Sequence, residues 1–316
     1  CSRVKLVLTS REALRVPGEW RYTLPVLGIP KTGSSIDLDA PIQYPALALF
    51  ADRARAVRSD FTLNKENIQA VAAICMQLDG LPLAIELIAA RVRLMSPQAL
   101  LERLNDLFVL SADGMRALSV RQKTLSNAIQ WSYDLLSKDE QLLLSCLSVF
   151  SGGFNLGAAE EVFSPFFRDN SVPDLVALLL DKSLLEQSLD ERGEVRFSML
   201  ATIQQFAQNS LHRLGNEAAA RDRHLTYFLT LTENGERGMR GPHQAEWGDR
   251  LERELDNFRA ALDWCVTGEK VEPALRLLKA LGWPWEVRGH YCEMRGWFER
   301  VRTLPETANH PKIYAL

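Results

Sequence analysis

The stretch LDGLPLAIEL, from Leu78 to Leu87, places the end of one helix and the start of another in a single tight corner. Gly80 suits the left-handed residue that closes a helix, and Pro82 suits the first turn of a helix, where its missing N–H is not needed. The residues alone therefore predict a helix–turn–helix corner in an all-α region. The apolar residues before it recur at helical spacing, at Ile68, Val71, Ala72, Cys75 and Leu78.

The length and composition indicate a globular protein of two or three domains. The chain has 316 residues, of which 47% are hydrophobic and 24% charged, and its formal net charge is −3. This charge gives no overall positive field for nucleic acid, and no apolar run approaches the ~20 residues that cross a bilayer. The five cysteines are scattered without paired spacing, and Cys75 and Cys146 lie on apolar helical faces, which predicts buried free thiols in a reducing cytoplasm.

The first residues predict a buried strand. Val4–Leu8 is too hydrophobic for an edge or a tail and is typical of a strand in a parallel sheet. Only Arg21–Val26 offers a second strand to pair with it. We therefore expect residues 1–38 to be the C-terminal remnant of a larger α/β domain whose start is missing.

Residues 39–122 predict a compact helical subdomain. Asp39 is expected to cap a helix that runs towards Arg58, and Asn64 to cap the helix before Gly80. Ser96-Pro97 then starts a further helix after the corner.

Residues 123–215 predict a winged helix, because three helices are followed by a hairpin and a fourth helix. Ser137 and Glu140 form a capping box at the first helix. Asn155 caps the second helix and Pro173 opens the third. The turn signal at Asp190–Gly193 lies between the two hairpin strands.

Residues 216–316 predict helices only, and Gly289–Glu299 looks like the second helix of a tetratricopeptide-like (TPR-like) pair. The chain is therefore expected to be mainly α, ending in the start of an α-solenoid. Four large side chains carry more apolar area than so short a stack can cover, which predicts an exposed apolar patch near Trp297. They are Trp283, Trp285, Trp297 and Phe298.

Several segments, in their order along the chain, resemble the STAND-class signal-transduction ATPases of the NB-ARC type, as found in large bacterial LuxR/AfsR-like transcriptional regulators. The corner is similar to the GLPL motif of that family, and LVLTSREAL (Leu6–Leu14) is similar to its strand ending in a sensor arginine. Further similar segments are PALALFADRARAV (Pro45–Val57), Leu125–Val162, FSMLATIQQFA (Phe197–Ala207) and LERELDNFRAALDW (Leu251–Trp264).

The resemblance implies that ATP or ADP, with Mg²⁺ in the intact protein, is the cofactor. It implies that Arg11 contacts the terminal phosphate and that Pro82 packs against the adenine. From the residues alone, Arg11 could equally solvate the strand end or pair with Glu12 or Glu19, and Pro82 could simply start a helix.

The sequence also lacks parts of such a site. No G-x-x-x-x-G-K-[ST] loop occurs in it, and no apolar strand ends in an aspartate for Mg²⁺. We therefore expect ATPase activity only in the intact protein, with no catalytic or metal-ligating residue in this chain. Plant and animal members of the resembled family carry Met-His-Asp after the wing, where this chain has Met199, Leu200 and Ala201. Leucine cannot donate a hydrogen bond, so what replaces the histidine at Leu200 is left open.

The third helix of the winged helix, Pro173–Lys182, has little with which to read DNA. It carries Asp174, Asp181 and a single lysine around an apolar stripe, and the wing is net acidic. DNA contact by this chain is therefore not expected.

The sequence predicts no metal site at its histidines. His224, His243 and His290 have no Cys or His neighbours at the spacing of metal ligands and are interpreted as ordinary surface or core residues.

Together these observations favour the lid and regulatory half of a nucleotide-dependent switch that controls transcription through a separate effector domain. Protein partners or a small effector are expected on the C-terminal helices, with self-oligomerisation in the intact protein and no membrane contact. The alternative is a helical protein-interaction scaffold that works without nucleotide.

Overall fold

A computed structural model describes residues 16, 19–20, 22, 25–30, 44–110, 120–190 and 193–305, with side chains described except at 105–110 and 120–123. The first part contains α1 (Pro45–Val57), α2 (Ile68–Gln77), α3 (Pro82–Ala89), α4 (Pro97–Leu110) and α5 (Val120–Asp134). The middle part contains α6 (Lys138–Leu147), α7 (Leu156–Phe163), α8 (Val172–Asp181), β1 (Glu186–Leu189), β2 (Val195–Ser198) and α9 (Ala201–Arg213). The last part contains α10 (Glu217–Gly238), α11 (Gln244–Arg253), α12 (Leu255–Thr267), α13 (Val271–Arg288) and α14 (Tyr291–Arg302). The predicted mainly helical fold is confirmed.

The first five helices surround a hydrophobic core of their own, which we call the first core. It contains Phe50, Phe61, Ile74, Ile85 and Leu100 among its fully buried side chains. Asn64 accepts N–H hydrogen bonds from Glu66 and Asn67 at 3.0 Å each, in the turn that leads into α2. The predicted cap therefore lies at this entrance, although α2 itself begins four residues later.

The start of α1 differs from the sequence prediction. The helix begins at Pro45, whereas a start at Asp39 was expected, and Asp39 itself lies outside the described residues. Tyr44 has extended backbone angles, φ −123° and ψ 91°. A residue before proline disfavours the α conformation because the proline ring crowds its backbone, so Tyr44 interrupts any helix from upstream.

The middle part is a winged helix, as predicted. The capping box of Ser137 and Glu140 and the cap at Asn155 are both present. Strands β1 and β2 pair antiparallel. Phe154 forms an additional, isolated antiparallel bridge with Phe197 on β2. α8 begins at Val172 with Pro173 in its first turn, because Ser171 caps it by accepting the N–H of Asp174.

The winged helix and the last five helices share a second core, which runs from Leu87 to Val301. The second core contains a cluster of phenylalanine rings. The ring of Phe150 contacts those of Phe154, Phe163 and Phe228, and the ring of Phe228 contacts that of Phe258. The proposed domain division at residues 38, 122 and 215 stays a prediction. No described helix is long and apolar enough to cross a membrane.

The predicted strands of the first 38 residues are not found where the structure can be described. Val4–Leu8 lies outside the described residues. Within Arg21–Val26, the described residues Tyr22, Pro25 and Val26 belong to no strand.

The exposed apolar patch of the C-terminal helices lies elsewhere than expected. Trp285 is buried, and Trp297 and Phe298 are half-buried, with the guanidinium of Arg300 4.2 Å from the centre of the Trp297 ring. Trp283 is 46% exposed. The exposed apolar side chains lie instead on α13, at Trp283 and Val287, and at the start of α14, at Tyr291.

The first testable prediction concerns Gly80, which has φ +64° and whose added Cβ would lie 2.4 Å from the carbonyl oxygen of Leu27. Gly80→Ala is expected to lower the free energy of unfolding by about 2–3 kcal/mol, since it combines left-handed strain with loss of a backbone contact. Gly215→Ala is the control, because Gly215 also has a positive φ (+70°) but open space around its Cβ position. It should cost only about 1 kcal/mol. Equal losses in urea denaturation would contradict the close-approach argument.

Candidate functional site

The corner from Asp79 to Pro82, which we call the GLPL corner, closes α2 with two successive left-handed residues. Asp79 (φ 52°) donates its N–H to the carbonyl of Met76 at 3.0 Å, and Gly80 donates to Cys75 at 3.1 Å. This is the hydrogen-bond pattern of a Schellman motif. The prediction for Gly80 was incomplete, because Asp79 occupies the position that ends the helix and Gly80 follows it.

Gly80 is needed for a second reason, which is the close approach of residues 25–30. The N–H of Leu27 donates to the carbonyl of Gly80 at 3.0 Å, and the N–H of Ala46 donates to the carbonyl of Gly28 at 3.2 Å. Leu27 and Ile29 also pack against the first core. The GLPL corner, residues 25–30 and the start of α1 are therefore held together by backbone hydrogen bonds.

Pro82 lies in the first turn of α3, as predicted, and its side chain is exposed. The helix start has no side-chain cap, so the N–H groups of Leu83 and Ala84 have no side-chain acceptor there among the described residues. An exposed apolar ring next to uncapped backbone donors can accept a flat heteroaromatic group. Arg11, the other predicted cofactor residue, lies outside the described residues, so its role and that of Pro82 stay predictions.

Leu200 stands where the resembled family has a histidine. It precedes α9 and, with Met199, packs against the second core. Its half-buried aliphatic side chain offers no hydrogen bond to a nucleotide. Within the described residues no cluster of three His, Cys, Asp or Glu side chains could hold a metal ion.

Helix α3 connects the GLPL corner to the winged helix. Ala84, Ile85 and Ile88 lie in the first core, whereas Leu83 and Leu87 pack into the second core.

A 3₁₀ turn, Ala90–Arg93, continues the chain after α3. Arg91 donates to the carbonyl of Ser132 on α5 at 3.0 Å, and Arg93 pairs with Asp181 on α8 at 2.6 Å.

Arg91 is a buried cation that sequence reasoning missed. Its side chain is 1% exposed, and two of its nitrogens, Nε and Nη1, have no hydrogen-bond partner within the described part of the chain. Burial lowers the pKa of Arg91 to about 10, although the negative charge of Glu140 acts in the other direction and raises it. Glu140 is itself bonded to Lys182 and to the N–H of Ser137. The signal was a charged residue that continues the four-residue spacing of Leu83 and Leu87.

A buried polar network joins the winged helix to the C-terminal helices. Asn257 on α12 donates to the carbonyl of Gly153 at 2.9 Å and to Glu254 at 2.7 Å, and it accepts the N–H of Ser151 at 2.8 Å. His224 on α10 lies 3.3 Å from the same amide oxygen. The only sequence signal was an amide side chain on the apolar face of α12.

The wing is also held by ion pairs to the C-terminal helices. Arg253 on α11 contacts Asp190 and, at 2.9 Å, Glu194, which lie on either side of the wing turn. Arg196 on β2 contacts Glu254 at 2.6 Å. The wing therefore packs against α11 and the start of α12.

The outward face of α8 offers little for base or phosphate contact. The helix contains no Arg, Lys, Asn or Gln, and it exposes Asp174, Ala177, Leu178 and Asp181. Lys182 at its end is bonded to Glu140. The hydrogen-bond donors that read base edges are therefore missing from this helix.

The comparisons with known proteins agree with this fold. Residues 136–212 match a family model described as a winged helix-turn-helix domain. A Mycobacterium tuberculosis protein (strain H37Rv) named "Putative HTH-type transcriptional regulator" is 37% identical over 302 residues, which cover 95% of this chain and 32% of that protein. A Mycobacterium bovis protein of the same name has the same figures.

A second Mycobacterium tuberculosis protein of the same strain, named an uncharacterized protein, is 36% identical over 246 residues, or 76% of this chain and 59% of that protein. The chain spans about a third of the length of the curated regulators it matches. It thus contains a winged helix-turn-helix domain and is similar, over nearly all of its length, to proteins named as transcriptional regulators.

The second testable prediction concerns pH. Burial lowers the pKa of His224 to about 4, from 6.5. Between pH 6.5 and 4 the unfolded state binds a proton that the folded state does not, so stability falls as the pH is lowered through this range and the decline ends near pH 4. The slope from this group is at most about 1.4 kcal/mol per pH unit.

The measurement is the free energy of unfolding as a function of pH. His224→Gln should remove this part of the slope, whereas His243→Gln, at an exposed histidine, should keep it. An unchanged slope in His224→Gln would show that other groups cause the acid sensitivity.

Proposed function

We propose that this chain is the regulatory part of a transcription regulator in which a nucleotide at the GLPL corner controls the winged helix and the C-terminal helices. The relatives' name supports transcription regulation. The observation that supports a nucleotide is the exposure of Pro82 in a corner whose Gly80 carbonyl accepts the N–H of Leu27.

In this proposal the GLPL corner holds the base of a purine nucleotide. The Pro82 ring would offer an apolar surface, and the uncapped N–H group of Leu83 would be a donor for a ring nitrogen. Arg11 would bind the terminal phosphate and so distinguish ATP from ADP. Bound phosphates and Mg²⁺ would carry the hydrolytic chemistry, and apart from Arg11 we assign no residue of this chain to hold them.

A nucleotide contact at Pro82 has a short physical path to the winged helix. Helix α3 has eight residues, and the 3₁₀ turn that follows it ends at the ion pair between Arg93 and Asp181. A shift of α3 would change the packing of Leu87 in the second core and the position of Arg91 at the same time. A ligand with different affinity for the two arrangements would shift their populations.

The alternative is a scaffold that binds protein partners without nucleotide. It is supported by the exposed apolar side chains of α13 and α14, Trp283, Val287 and Tyr291. The two functions differ in one measurement, which is nucleotide affinity in the full-length protein.

The third testable prediction addresses that difference. In the full-length protein, Pro82→Ala should weaken ADP binding about tenfold, because it removes the apolar contact to the base. Pro173→Ala is the control, since it also removes a first-turn proline, but from α8. Fluorescence titration with a labelled ADP measures both.

Residues 1–316 alone should bind ADP only weakly and should not hydrolyse ATP. Sub-micromolar binding by this chain would contradict that expectation. Full-length protein with no measurable ADP binding would favour the scaffold.

DNA contact is a third candidate, because the winged helix-turn-helix match allows it. The composition of α8 and the docking of the wing on α11 weigh against it. The fourth testable prediction is therefore that residues 1–316 show no salt-dependent shift of a 30-base-pair duplex in gel electrophoresis at micromolar concentration. Binding that is abolished by high salt and by Arg192→Ala on the wing, but not by Arg302→Ala on α14, would reverse this conclusion.

A further inference from the structure

Asp79, the first residue of the GLPL corner, has an unfavourable backbone conformation for a residue with a side chain. Its φ is 52°, in the left-handed region where glycine is the usual residue. A Cβ atom in this region costs free energy, and residues that keep such a conformation are frequent where a structure switches or clamps a ligand. The conformation therefore draws attention to what the carboxylate of Asp79 contacts.

The carboxylate of Asp79 is bonded to α5, 45 residues further along the chain. The hydroxyl of Thr124 donates to Oδ2 of Asp79 at 3.0 Å. Thr124 is only 3% exposed, so little water competes for this hydrogen bond. Glu269 has the same φ of 52°, but it is exposed, and its side chain forms no hydrogen bond or ion pair within the described residues.

A second hydrogen bond joins α5 to the other end of α3. Arg91, just after α3, donates to the carbonyl of Ser132 at 3.0 Å. Asp79 precedes α3 and meets the start of α5, whereas Arg91 follows α3 and meets the end of α5, so the two helices pack side by side in the same direction. Thr124 and Ser132 lie about 12 Å apart along α5. The pair of helices is therefore held at both ends.

Helix α5 also reaches both cores. Ala128 and Trp131 lie in the first core, and Ile129 and Tyr133 lie in the second core. Because both interiors are close-packed, α5 cannot rotate or slide without disturbing the two of them. A connection between the GLPL corner and α5 is thus also a connection to the winged helix.

We propose that Asp79 is a positioning residue, which couples the GLPL corner to α5 through Thr124, so that a displacement of the corner moves α3 and α5 together. For the identity of the ligand that displaces the corner, this inference rests on the proposed function. A nucleotide on Pro82 then acts on the winged helix through two helices instead of α3 alone. Coupling of this kind is reciprocal, so a partner that holds α5 in place also changes the affinity for the nucleotide.

The fifth testable prediction is a double-mutant cycle in residues 1–316, read out by amide hydrogen exchange. Thr124→Val removes the hydroxyl and keeps the shape of the side chain, and Asp79→Gly removes the carboxylate at a φ that glycine tolerates. Each should lower the protection of the Gly80 N–H about tenfold, as expected for one lost hydrogen bond to a charged group. The double variant should be no less protected than either single variant, and Thr124→Ser should keep the original protection.

Glu269→Gly is the matched control for Asp79→Gly. Both substitutions place glycine at a φ of 52°, but only Asp79→Gly loses a hydrogen bond to another helix. Asp79→Gly should therefore melt about 2 °C below Glu269→Gly. Equal melting temperatures would contradict a contribution from the carboxylate.

The response to ligand separates coupling from a purely structural role. In the full-length protein at saturating ADP, exchange of the α5 amides should slow in the wild type and in Thr124→Ser, and this slowing should be at least threefold smaller in Thr124→Val. A purely structural role would lower protection without changing the response to ADP. The inference is overturned if bound ADP slows α5 equally in Thr124→Val and the wild type, or if the two single effects add in the cycle. Full-length protein that does not bind ADP would contradict the proposed function instead, and the cycle in residues 1–316 would still decide whether the corner and α5 are coupled.

Discussion

The packing of α3 into two cores is the constraint on which the rest of the structure depends. In eight residues this helix buries Ala84, Ile85 and Ile88 on one side and Leu87 on the other, and all four are fully buried. Interiors are close-packed, so neither core can change shape around α3 without displacing it. The GLPL corner at its start is therefore mechanically connected to both halves of the described chain. Among the described helices, only α3 and α5 contribute buried residues to both cores.

The contact between the winged helix and the C-terminal helices is held differently from the packing of α3. Here one apolar core is continuous, and buried hydrogen bonds add specific contacts to it. Asn257 satisfies two backbone groups of the loop at Ser151–Gly153, and those groups would be costly to leave unpaired in the interior. The wing is then held by Arg253 and Arg196. These ion pairs hold one side of the wing against α11 and Glu254, whereas a wing that contacts DNA must be free to enter a groove.

The parts of the fold that could be predicted are those encoded within a few residues. The capping box of Ser137 and Glu140, the cap at Asn155 and the helix start at Pro82 each depend on hydrogen bonds or φ preferences that span at most four positions. The start of α1 was wrong because the extended conformation forced on Tyr44 was not weighed. Asn257, Arg253 and the approach of Leu27 to Gly80 were missed because their partners are 53 to 106 residues away, where local patterns carry no information.

Arg91 was also missed from the sequence, and it affects how strongly α3 packs against the winged helix. It continues the stripe of Leu83 and Leu87, so a leucine would have extended the apolar contact between α3 and the winged helix. The guanidinium instead uses one nitrogen on the carbonyl of Ser132 and buries two that have no partner among the described residues. Buried donors without acceptors cost free energy, and buried charges contribute less than apolar side chains of similar size. The contact of Arg91 with α5 therefore stabilises the packing of α3 less than a leucine at position 91 would.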